Sequence, residues 1–194
     1  MNPLKTVAGT IIGGIVLAIV IALATMGVNF NVGSFVVWIH VLAGITWIGL
    51  LYYFNFVQVP ALADAAGDEG GPGGAGITKY VAPRALWWFR WGAALTWLSG
   101  AIYLYILGML HHAFTLGMTE GGNQSHMIIG VGAWLGTIML FNVWVLIWPN
   151  QKKILGMVEA SADEIAKART IAFTASRTNT LLSIPMLMSM VGYG

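Results

Sequence analysis

Apolar residues fall in five long blocks, at about 7–27, 34–57, 85–110, 126–148 and 170–193, separated by polar or glycine-rich stretches. Each block is at least about 20 residues long, enough to cross a hydrocarbon core of about 30 Å as a helix. Only helices and closed barrels satisfy the backbone in lipid, and unbroken runs of this length mean helices. The pattern therefore predicts an all-α integral membrane protein with about five transmembrane helices. The first block follows Lys5 and resembles a secretory leader, but it is too long for a usual leader core and reads as a retained helix. The fifth is interrupted by Arg177, Asn179 and Pro185. Its start is better defined, because Ser161-Ala-Asp-Glu164 reads as a capping box. A helix from there to Tyr193 would be about 48 Å long, with its first turns projecting into water.

Composition agrees with lipid as the main solvent. Of 194 residues, 58% are hydrophobic and 8% charged, against about 25% charged in soluble domains. Residues 1–194 read as a single membrane domain, with a membrane lipid surround. The absence of cysteine excludes disulfides, thiolate metal ligands and a c-type haem attachment site. A net charge of +2 is too small to point to nucleic acid.

The placement of the charges says more than their sum. All nine Lys and Arg lie at the N-terminus, in the 58–84 and 149–169 loops, or in adjoining helix ends. Loops 28–33 and 112–125 have none. By the positive-inside rule the N-terminus and those two loops are cytoplasmic and the C-terminus is outside. Trp87, Trp88, Trp91 and Trp148 then read as an inner interfacial belt. The glycine-rich segment 67–76 lacks the ending of a phosphate loop and reads as a linker. Gly9/Gly13 and Gly132/Gly136 are small-xxx-small pairs suited to close helix packing.

Within this frame the histidines converge. His40, His111, His112 and His126 all map to the outer half. Segments 40–55 and 126–142 both read H-x3-G followed by W-x-G-x4-F-N. They pair His40 with His126, Gly44 with Gly130, Trp47 with Trp134, and Asn55 with Asn142. Spans 2 and 4 are thus expected to form an internal parallel repeat about an axis along the membrane normal. A glycine one turn from each histidine leaves a flat recess suited to a planar macrocycle. Two neutral imidazoles suit the iron of a b-type haem, and bis-histidine ligation suits electron transfer. His40 and His126 are accordingly the expected iron ligands, with Gly44, Gly130, Trp47, Trp134, His111 and His112 around the cofactor. Haem propionates usually meet cations, which the outer side lacks. Asn55 and Asn142 are expected to bond between helices.

The segments "WIHVLAGITWIGLLYYFNFVQVP", "APRALWWFRWGA", "NVWVLIWPNQKKILG" and "SRTNTLLSIPMLMSM" resemble bacterial membrane-bound urate hydroxylases, the urate oxidase N-terminal-domain family. The shorter H-x6-W-x-G element also resembles haem-b membrane proteins such as histidine-ligated protoporphyrinogen oxidases, and copper-resistance membrane domains. The resemblance implies a bacterial inner-membrane protein that passes electrons, with purine oxidation as the family's activity. Larger family members carry a C-terminal c-type cytochrome, so these 194 residues read as a short form.

The leading expectation is a haem-b protein exchanging electrons near the outer leaflet with a c-type cytochrome or larger membrane complex. Alternatives are a purine-oxidising enzyme with Arg177, Asn179 and Thr180 near its substrate, a non-catalytic packing subunit, and copper handling by the outer histidines and methionines.

Overall fold

The structure is a computed structural model that describes residues 2–26 and 31–192. The expected span ends at Gly27 and Tyr193, the C-terminal Gly194 and residues 28–30 of the first loop lie outside the described residues. The described residues are helical with no strand. The principal helices are α1 (Val7–Met26), α2 (Val32–Tyr53), α3 (Val59–Gly67), α4 (Ala82–Ile106), α5 (Leu110–Phe114), α6 (Gln124–Phe141), α7 (Trp148–Ile154) and α8 (Ala162–Val191). Three continuous helical stretches are long and apolar enough to cross a membrane: Val7–Thr25, Val32–Gly67 and Gln124–Ile154. None of the first is buried against the rest of the chain, as suits a helix whose solvent is lipid.

The expected loops are shorter than the hydropathy pattern implies, because helices continue past the apolar blocks. The stretch from α2 runs through a π-helical turn, Phe54–Gln58, into α3. The stretch from α6 runs through another, Asn142–Ile147, into α7. A third, Ile77–Val81, leads into α4. Each is followed by a proline at the second position of the next helix: Pro60, Pro83 and Pro149. Proline donates no N–H, and its ring collides with the carbonyl four residues back in a regular α-helix. In all three cases the residue before the proline donates five residues back: Val59 to Phe54, Ala82 to Ile77 and Trp148 to Val143. The added residue widens the turn where the ring needs room.

Helix α4 lies antiparallel to α2. Gly92 brings it close, since a Cβ there would stand 3.4 Å from the Trp47 amide nitrogen and 3.6 Å from the Ala43 carbonyl oxygen. Helix α8 lies antiparallel to both α2 and α6, so α2 and α6 run in the same direction. The Tyr52 hydroxyl meets the Ser183 hydroxyl at 2.9 Å, and Asn55 Nδ2 donates to Ser176 Oγ at 2.8 Å. From α6, Asn142 Nδ2 donates to Asn179 Oδ1 at 2.8 Å, and Asn179 Nδ2 donates to the Met139 carbonyl at 2.9 Å. Both asparagines of the F-N pairs therefore bond to α8, as expected. Gly132 is the member of its glycine pair that packs closely: a Cβ would lie 3.1 Å from Ser189 Cβ and Met190 Cε. The core between these helices is built from Trp47, Leu51, Phe89, Met139, Val143 and their neighbours.

The capping box forms. Glu164 N–H donates to Ser161 Oγ at 3.3 Å, and Ser161 N–H donates to Glu164 Oε2 at 2.9 Å. Lys153 adds an ion pair to Glu164 at 3.5 Å. From this start α8 runs for 30 residues and carries Pro185 inside it. Arg90 lies over the Trp148 ring, 3.7 Å from its centroid, which joins α4 to α7 at the cation-bearing end.

Candidate functional site

A cleft of about 620 Å³ opens between α2, α4, α6 and α8. His40, Gly44 and Trp47 line one wall, and Thr96 and Gly100 of α4 stand beside them. Gly136 of α6 and Met186 and Met190 of α8 line the remainder. The imidazole of His40 is fixed by its neighbour helix: Nδ1 lies 2.8 Å from the Thr96 carbonyl oxygen. That carbonyl only accepts, so Nδ1 carries the proton and Nε2 keeps its lone pair. This tautomer, oriented by a backbone carbonyl, is the arrangement of a metal-ligating histidine. The Thr96 carbonyl is shared with Ser99, whose hydroxyl stands 3.1 Å away.

Gly100 makes the arrangement possible. A Cβ at this position would come within 2.8 Å of His40 Cε1 and 3.0 Å of Nδ1. Sequence reading missed it. The signal was available in S-G-A at positions 99–101, small residues in an otherwise bulky helix. Gly44 leaves the expected recess open, its nearest neighbour beyond α2 being Thr96 Cγ2 at 3.7 Å. Gly136 has nothing within 4 Å of a built Cβ. Trp47 is 2% exposed, and its Nε1–H meets no acceptor within the chain. A buried donor without a partner costs about 1–3 kcal/mol, so an acceptor supplied by a ligand has a place to bind.

The other predicted site residues stand elsewhere. His126, Gly130, Trp134, His111 and His112 are not on the wall of this cleft. The recess beside His126 is filled, since a Cβ on Gly130 would collide with the Ala113 carbonyl of α5. Trp134 donates from Nε1 to the Phe114 carbonyl at 3.1 Å. The His126 ring stacks on His112 with centroids 5.2 Å apart, and His112 meets His111 edge-on at 5.8 Å. The four histidines thus divide into one in the cleft and three grouped around α5. Among the described residues, no cluster of three or more His, Asp or Glu has metal-binding geometry. Asn179 is committed to Asn142 and Met139, while Thr180 bonds its own helix at Ser176. Arg177 lies over Phe173 at 5.2 Å. These three do not line the cleft.

Comparison with protein families places the second half of this bundle. The model of the family described as "Urate oxidase N-terminal" matches residues 109–193. Over those residues the chain is similar to that family. The matched segment spans α5 to α8, including Gly136, Met186 and Met190 of the cleft and the three histidines around α5. His40, Trp47, Thr96 and Gly100 precede it, so the cleft is bounded by helices inside and before the matched segment. No curated protein and no solved structure matches the chain.

Proposed function

We propose that this protein is a membrane-embedded electron carrier that holds a b-type haem in the cleft through His40. The single observation that carries the reading is the His40–Thr96 contact, which presents an imidazole lone pair within a large apolar cleft. The donor set fits the group. One imidazole and the thioethers of Met186 and Met190 share the wall, and histidine with methionine is a ligand set of electron-carrying cytochromes. The recess at Gly44 leaves room for a flat ring, and the Trp47 N–H suits an acceptor on its edge. The wall carries no Lys or Arg, so one carboxylate of a tetrapyrrole would meet the buried Trp47 N–H and the other would lie at the open side of the cleft. When bound, the haem supplies one-electron redox chemistry. The chain's part is to ligate through His40, exclude water with the apolar wall, and fix the tautomer through Thr96.

In this reading His126 belongs to the outer histidine group and the second ligand comes from α8. The parallel course of α2 and α6, with a π turn at each F-N pair, supports the internal repeat as a helix scaffold. Five spans follow if α4 and α8 cross with the three most apolar stretches. The distribution of Lys and Arg supports a cytoplasmic N-terminus in a bacterial inner membrane. A c-type cytochrome or larger membrane complex is the partner to test. The family match favours a second reading, a purine-oxidising enzyme that passes electrons to such a cytochrome.

Purified protein should show the visible bands and pyridine haemochrome of haem b, and His40→Ala should lose them. Retention of an unchanged spectrum in that variant would reject the site. Urate consumption coupled to cytochrome c reduction would favour the enzyme reading.

A further inference from the structure

A second cavity, of about 520 Å³, lies at the opposite, cation-bearing end, and all three π-helical turns border it. Phe54, Asn55 and Gln58 come from the first, Thr78 from the second and Ile147 from the third. Such turns are rare and recur at functional sites. Three around one cavity ask for a reason beyond proline accommodation. The second observation is Gln58. It is 8% exposed, and its Oε1 is buried with no hydrogen-bond partner in the chain. An unpaired buried carbonyl is costly, and a ligand N–H or O–H relieves it. The third is Arg169 of α8, the one charged side chain on the wall. Phe54, Phe89 and Phe173 supply flat apolar surface on the same wall.

We propose that this cavity binds a small organic anion carrying an O–H or N–H donor at the end opposite its charge. Asn55 bonds to Ser176, which sets the level of α2 against antiparallel α8. From that level Gln58 is three residues further along the π-helical turn that continues α2 and Arg169 seven residues along α8, in the same direction. At 1.5 Å per residue the two lie roughly 6 Å apart along the helix axes, about one aromatic ring plus its contacts. The order of groups excludes a phospholipid, whose apolar chains would point inward where the orphaned amide oxygen sits. The ligand enters from the aqueous side, with its anionic group last and paired with Arg169. This site is independent of the haem reading, because it shares no lining residue with the outer cleft.

The test is calorimetric titration of the full chain in detergent with 4-hydroxybenzoate, benzoate and the neutral 4-hydroxybenzyl alcohol. The proposal expects saturable binding of 4-hydroxybenzoate, at least about tenfold tighter than either control. Exposed Arg169, replaced in Arg169→Ala, should weaken it about tenfold without disturbing the fold. Gln58→Leu should erase the preference for the hydroxyl while benzoate still binds, and retained helicity by circular dichroism shows that the variant folds. No saturable binding to the native chain would overturn the proposal. So would affinity unchanged in both variants, or displacement by short-chain phosphatidylglycerol binding tighter than 4-hydroxybenzoate, which would make it a lipid site.

Discussion

His40 of α2 and Thr96 of α4 are 56 residues apart in sequence, yet the imidazole Nδ1 rests 2.8 Å from the threonine carbonyl. The contact is specified by a missing side chain, because Gly100 lies one turn beyond Thr96 and leaves the space the ring occupies. Adding that side chain is the simplest perturbation. Gly100→Val should push His40 off the carbonyl and destabilise the α2–α4 pair by about 1–3 kcal/mol, as overpacking does. Thermal unfolding in detergent measures the loss. Unaltered stability with haem bound normally would mean that the ring is free to sit elsewhere.

Trp47 makes a separate demand. Its Nε1–H is buried without an acceptor. Trp47→Phe should keep the fold while weakening haem retention about three- to tenfold, the worth of one ordinary hydrogen bond. Competition for haem by an apo-globin acceptor gives the ratio. Equal retention would show that the indole N–H does not meet the cofactor.

Asn179 joins α6 to α8 through Asn142 and Met139 and is fully buried. Asn179→Leu removes one amide and leaves another, that of Asn142, without its partner. A cost of about 1–3 kcal/mol is expected, most of it from the stranded group. In the double variant with Asn142→Leu much of the loss should be recovered, which a double-mutant cycle of unfolding free energies will show.

Glu164 lies outside the expected hydrocarbon region. Hydrogen bonds from the Ser161 backbone and hydroxyl, then the nearby Lys153, hold its carboxyl below the ordinary value of 4.5. A depressed carboxylate stabilises the folded helix end fully above its unfolded value, and the contribution is lost as pH falls through the lower folded value. Amide exchange in the first turn of α8 should therefore be slower than in Glu164→Gln above pH 4.5 and converge with it on acidification. The comparison must correct for the intrinsic pH dependence of exchange, and the direction is greater protection for native protein at neutral pH.

Much of this was legible in the sequence, because helices in apolar solvent announce themselves by length. The capping box at Ser161, the asparagines bonding between helices and the opening at Gly44 follow from spacing alone. The partner of His40 does not, since Thr96 acts through its carbonyl and any residue type presents one. The alignment of His40 with His126 assumed that equivalent positions face one space. Instead the five-residue α5 packs its Ala113 carbonyl against Gly130 and takes up the room that a macrocycle would need. The π turns were also unread. Proline near the end of an apolar block reads as a helix boundary, whereas here an extra residue in the turn carries the helix past it.

The central claim is that His40 alone among the histidines ligates iron within the cleft. The most direct measurement is chemical rescue of His40→Gly, followed by visible spectroscopy of the reduced protein. The variant should lose the native haem-b bands and recover them on adding imidazole, while His126→Gly keeps them throughout. Loss of the bands in His126→Gly, with the same recovery on imidazole, would contradict the account and return both histidines to a single iron.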